Sequence, residues 1–155
     1  MSQINILIDK NSVMKNDDKI TGKICFNIDK NYFPDSNWND FVIIILNWWI
    51  NSLLNIYKES QFDLMFMDGP FLVRINIDNK KKINVKLIER RKKEKIIYTC
   101  LSDISDLLKA VINTTKELID YIDNKKWIST DITELKKSFL QLNKFSIEIL
   151  DDKNL

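Results

Sequence analysis

The side chains best suited to chemistry in this chain are three pairs of carboxylates, Asp35 with Asp40, Asp103 with Asp106 and Asp120 with Asp123. Such pairs can divide general acid and general base roles between them. Each pair falls at an expected helix end, however, where capping, the helix dipole and solubility account for an aspartate first. Histidine is absent from all 155 residues. That removes the commonest general base, the usual nitrogen ligand of zinc and the ordinary pH switch. A Ser-His-Asp or Cys-His relay cannot be assembled within the chain. The only glycines, Gly22 and Gly69, lie too far apart to build a loop that cradles phosphates. Cys25 and Cys100 each sit in an apolar, strand-like run and read as buried thiols used as small hydrophobes in a reducing compartment. These residue types predict a protein that is not an enzyme and uses no cofactor or metal.

Binding is better represented than catalysis. Residues 79–95 hold nine Lys or Arg against Glu89 and Glu94, a local excess of +7 that leaves −5 on the rest of a chain whose net charge is +2. Arg90, Arg91, Lys92 and Lys93 at the centre of this run are candidate contacts to phosphates or to an acidic protein surface. A solvated turn that protects a sheet edge is the plainer account, because 21 Lys, 25 Ile and 17 Asn beside one Ala are the bias of AT-rich codons. The run also lacks interleaved aromatics that would stack on bases, Tyr98 being the nearest, so a nucleic-acid-binding module using the 79–95 hairpin is the second choice. Two tryptophans complete the candidate set for a protein partner: Trp48, which stands with Ile44 off the core stripe of its helix, and Trp127, flanked by Lys125 and Lys126.

The elements that must position these residues follow from periodicity. With 45% hydrophobic and 30% charged residues, the chain has the composition of one folded domain over 1–155. Residues 4–8 alternate as a strand, Asp9–Lys19 reads as a polar connection, and Gly22 opens a second strand over 23–29. Pro34, Ser36 or Asn37 as a cap, and Asp40 in the opening turn predict a helix from about Trp38 to Tyr57. Trp38, Phe41, Val42, Ile45, Trp49, Leu53 and Ile56 form its core stripe, and so much apolar circumference implies burial on two sides. From Gln61 the period changes to two. Strands near 62–66, 71–77, 83–87 and 96–101, joined by short turns including Asp78–Lys82 and Arg90–Lys95, predict an antiparallel meander. At Asp68-Gly69-Pro70, a positive φ at Gly69 and Asp68 bonding amides two positions on predict a special turn. Ser102-Asp103 caps a second long helix, and Asp131 with Glu134 resembles a capping box opening a third. Phe145, Ile147 and Ile149 fit either more helix or a short closing strand. The fold class is therefore α+β: an antiparallel sheet of about six strands in the order β-β-α-β-β-β-β-α-α, with helices packed on it. The apolar run Val42–Leu54 has 13 residues, short of the roughly 20 needed to cross a bilayer. With no basic, apolar leader at Met1–Asn5, a cytoplasmic location is expected.

Phe33-Pro34-Asp35, then Trp38-Asn39-Asp40-Phe41, Leu46-Asn47-Trp48-Trp49 and Phe66-Met67-Asp68-Gly69-Pro70-Phe71 resemble small bacterial proteins encoded beside polymorphic or contact-dependent growth inhibition toxins. Those are immunity proteins. The resemblance spans about residues 22–77 and implies an α+β domain without catalysis whose partner is a cognate toxin domain. It implies no toxin-contacting residue, and it marks the Phe-Pro, Trp and Met-Asp-Gly-Pro positions as scaffold.

Overall fold

The alternation that begins at Ile4 runs much further than expected. In the computed structural model, which describes residues 1–78 and 81–151, β1 (Ile4–Asn16) and β2 (Lys19–Ile28) form one long antiparallel hairpin. The segment expected as a polar connection is mostly strand, interrupted by a bulge in which β1 residues 10–13 face the single residue Gly22 between the pairs Asp9–Lys23 and Met14–Thr21. Ser12 holds the bulge, its hydroxyl donating to the Asp9 carbonyl at 2.6 Å and accepting the Lys23 amide at 2.8 Å. Val13 is thereby folded over Gly22, where an added Cβ would lie 2.9 Å from Val13 Cγ2. A glycine inside a strand is explained here by close approach.

Two short strands join this hairpin that periodicity did not reveal. β3 (Asn31–Phe33) pairs with the end of β2, and β4 (Asn39–Asp40) with Gly22 and Lys23. The Phe33-Pro34 peptide is cis. Because the Trp38 carbonyl accepts the Ile24 amide at 2.9 Å, the stretch expected to open a helix is held extended against β2. Helix α1 is consequently shorter than expected, Val42–Leu54, with Phe41 at its N-cap and no side-chain cap. Its buried residues reach around most of its circumference, from Val42 and Ile43 to Trp49 and Ile50. The helix packs on β2, on β5, on α2 and on α3, which is the two-sided burial its composition requires.

β5 (Gln61–Met65), β6 (Phe71–Ile77), β7 (Lys82–Arg90) and β8 (Glu94–Asp103) form the expected meander as a second four-stranded sheet. Within the expected turn 78–82, Asn79 and Lys80 lie outside the described residues. The α+β class agrees with expectation, and the element order does so apart from the inserted β3 and β4; the described residues form eight strands in two sheets where about six in one were expected.

α2 (Ile104–Lys125) lays its apolar face along β1, and the Thr114 hydroxyl donates to the Ile6 carbonyl at 3.1 Å, satisfying part of an otherwise open sheet edge. At its start Asp103 makes no side-chain cap, and Ser102 donates instead to the Ser2 carbonyl at 2.6 Å. α2 ends at Lys126 with φ 59, a left-handed cap. α3 (Thr130–Asp151) includes residues 145–150, so the C-terminal apolar run is helix. Ser129, not Asp131, caps it: the Ser129 hydroxyl accepts the Ile132 amide at 3.2 Å, and Asp131 lies in the first turn. One hydrophobic cluster unites both sheets with all three helices.

Candidate partner-binding surface

The surface is built on an aromatic knot. Phe26, Phe33, Trp38, Trp49, Phe66 and Phe71 meet mostly edge to face with ring centroids 5.1–6.3 Å apart. Trp49 is fully buried and donates its indole N–H to the Met65 carbonyl at 2.8 Å. At the centre stands the Asp40 carboxylate, 1% exposed. It accepts the Trp38 indole N–H at 2.9 Å, the Phe41 amide at 2.7 Å, and the Met67 and Asp68 amides at 3.2 Å each. Asp40 therefore holds the β5–β6 turn, a task expected of Asp68, and stands in β4 before the helix and not in its opening turn as expected. Gly69 has no positive φ. Its requirement is steric, since an added Cβ would stand 2.6 Å from Trp38 Cη2.

Around this knot the start of α1 forms the floor of a groove of about 300 Å³ lined by Ile20, Phe41, Ile43, Ile44 and Met67. Asp18 of the β1–β2 turn, Lys19 at the start of β2, and Ser129 and Asp131 at the start of α3 wall it. A contiguous recess of about 180 Å³ continues along α1 past Ile44, Asn47 and Trp48 to Glu134. Trp48 is 41% exposed and Met67 38%. The Asn47 carboxamide oxygen is buried and has no hydrogen-bond partner. Among the described residues no ion pair engages Asp18, Asp131 or Glu134.

The other candidates lie nearby in different states. Arg90, Arg91, Lys92 and Lys93 form the exposed β7–β8 turn. The Arg90 amide donates to the Pro70 carbonyl at 2.7 Å, joining this turn to the one that carries Met67. Both arginines face carboxylates of their own chain, Arg91 with Glu89 at 2.8 Å and Arg90 with Glu94 at 3.9 Å. Glu94 is shared with Arg74, which also grips Asp63 through two bonds of 2.9 and 3.1 Å. The Arg74 hydrogen bonds hold the Glu94 carboxyl below its usual value. On the same face of the sheet Leu72 and Ile88 are buried although their positions alternate away from the core. Beyond the turn, Ile96 and Ile97 of β8 are exposed. Trp127 is half-buried two residues before the groove wall at Ser129, its ring edge-on to Tyr121 at 5.9 Å. Of the sequence candidates, Trp48 lines the recess, and its companion Ile44 lines both recess and groove. Asp18, Met67, Asp131 and Glu134 were not read as surface-forming residues because they come from three separate elements, the β1–β2 turn, the β5–β6 turn and α3, and no local spacing announces their meeting.

Of the paired carboxylates, Asp120 is engaged by Lys116 and Asp123 by Lys136. Asp40 is consumed by its hydrogen bonds, and among the described residues no group of three or more Cys, Asp or Glu side chains is placed to hold a metal. Burial, with Asp35 adding to it, pushes the Cys25 thiol up to about 11. Among the described residues no helix is long and apolar enough to cross a membrane. Comparison with known proteins finds no family model, no curated protein and no solved structure that matches this chain.

Proposed function

We propose that the protein is a cytoplasmic immunity protein that binds a cognate toxin domain stoichiometrically and neutralises it by covering its active surface. The observation that carries this reading is Trp48, held 41% exposed on a helix whose next residue, Trp49, is locked in the core. A large aromatic presented on rigid backbone beside an apolar recess is the usual anchor of a protein–protein interface. The resemblance to immunity proteins supplies the class of partner. The nucleic-acid alternative ranks second because the hairpin's two arginines already face carboxylates of their own chain.

Co-expression with the toxin domain encoded beside the gene tests the proposal. The expected result is a 1:1 complex in which the toxin is inactive, and Trp48→Ala should weaken it at least tenfold with little change in melting temperature. Absence of a complex at micromolar concentrations of both proteins overturns the reading.

A further inference from the structure

We infer that the groove between α1 and the start of α3 receives a cationic segment of the protein partner, a Lys or Arg side chain set beside an apolar one. The inference rests on the inhibitor reading for the identity of that partner, and on the groove itself for its chemistry. The floor is apolar, made by Phe41, Ile43 and Ile44. The rim is acidic, with Asp18 at one side and Asp131 and Glu134 at the other, against the single cation Lys19. These three carboxylates are exposed and, among the described residues, form no ion pair, so an incoming cation displaces only water.

An anionic occupant is disfavoured by the same geometry. At the start of α3 the Ile132 amide is already taken by the Ser129 hydroxyl, and Asp131 in the first turn sets a negative charge against an anion there. Three rim carboxylates face one lysine, and an Arg or Lys head pairs with them while its aliphatic stem lies on Ile44 and Trp48. At about 300 Å³ the groove suits one or two side chains, being at the lower bound of about 300–1,000 Å³ for small-molecule pockets.

The test uses two short peptides, acetyl-Leu-Arg-Phe-Lys-amide and its acidic counterpart acetyl-Leu-Glu-Phe-Glu-amide, titrated into the isotope-labelled full chain and followed by amide and indole resonances. The cationic peptide is expected to shift Ile44, Asn47 and the Trp48 indole, the acidic one to leave them unmoved, and Asp131→Asn with Glu134→Gln to weaken the cationic peptide about tenfold. Both substituted positions are exposed, so the double variant should keep the wild-type spectrum elsewhere. No shifts at millimolar cationic peptide, equal binding of the acidic peptide, or undiminished binding by the double variant overturns the inference. Titrating the toxin domain into the same double variant separates the two claims. A complex of unaltered affinity removes the groove from the interface and leaves the inhibitor reading standing; peptide binding without any toxin complex does the reverse.

Discussion

Asp40 and Met67 are 27 residues apart, and the carboxylate of one accepts the backbone N–H of the other at 3.2 Å. This bond ties the β5–β6 turn to the strand that precedes α1, so the exposed Met67 side chain and the first turns of α1 form one rigid surface. Oδ2 takes the bonds from Trp38, Met67 and Asp68, and Oδ1 the one from Phe41. Asp40→Ala should cost about 3 kcal/mol or more, because buried donors lose their acceptor at about 1–3 kcal/mol each. Asp40→Asn keeps an oxygen at the busier position and sets its NH2 against one donor only, so it should cost about 1–2 kcal/mol. Urea denaturation of the two variants checks the order, and equal costs would show that the second oxygen matters as much as the first.

Gly69→Ala should destabilise by about 1–3 kcal/mol through overpacking. The added methyl meets the Trp38 ring at 2.6 and 2.9 Å and Phe71 at 3.2 Å, and the indole is pinned by its bond to Asp40. Crowding should loosen that bond, so a red-shifted tryptophan emission is expected along with the lost stability. A neutral substitution would mean that the indole has room to retreat.

The meander was legible because Phe62, Leu64 and Phe66 alternate with Asp63, Met65 and Met67, and period two needs no tertiary information to be read. Burial of α1 on both sides was legible for a similar reason, since few of its positions carry a polar side chain. The start of α1 was not. Trp38 fits the helical stripe by spacing, and only its carbonyl's bond to Ile24 on a distant strand holds it extended. β1 was cut short because the polar residues of its bulge look like loop. Ser12 satisfies two backbone groups that a loop would leave to water. Of the groove and its recess only the α1 side, Ile44 and Trp48, could be read: the aspartates look like turn and helix-start residues singly and are brought together only when α3 folds back beside α1.

Adjacent tryptophans of α1 should separate stability from binding. Trp49 touches Phe26 at 5.1 Å and Phe66 at 5.3 Å and is fully buried. Trp49→Ala should therefore cost roughly 3–5 kcal/mol. Trp48→Ala removes a half-exposed ring and should cost under about 1 kcal/mol. Thermal unfolding gives the first comparison and partner affinity the second, and a Trp48→Ala protein as unstable as Trp49→Ala would place Trp48 in the scaffold.

The two thiols should differ in reactivity. Cys25 is buried and its thiol lies near 11, so almost no thiolate forms at pH 8 and a disulfide reagent should reach it only on unfolding. Cys100 is half-buried, with burial raising its thiol to a lesser degree. Reaction of the folded protein at pH 8 should label Cys100 first, which mass spectrometry of the modified peptides will show.

The amino terminus is clasped by groups that set a pH window. Ser2 and Tyr98 both donate hydroxyl hydrogen bonds to Asp29 Oδ2, the latter at 2.6 Å, and the Ser2 amide donates to the Leu101 carbonyl at 2.8 Å. The Ser2 and Tyr98 bonds lower the Asp29 carboxyl below its usual value, and the bond to Asp29 raises the Tyr98 hydroxyl above its own. A lowered acid contributes stability in full above its unfolded value and loses it as pH falls through the folded one. The raised Tyr98 contributes below its unfolded value, about 10, and its contribution disappears as pH rises through the folded one. Between those limits Asp29 is an ionised acceptor and Tyr98 a protonated donor, and the clasp is closed. Hydrogen exchange at Ser2 and Ile4 should accordingly be slowest relative to free peptide near neutral pH, and relative protection should fall on the acid side as Asp29 protonates. Asp29→Asn should abolish the acid limb and return the Tyr98 hydroxyl toward its ordinary value. An acid limb that survives in that variant would transfer the effect to another carboxylate, with Glu94 under Arg74 the first to examine.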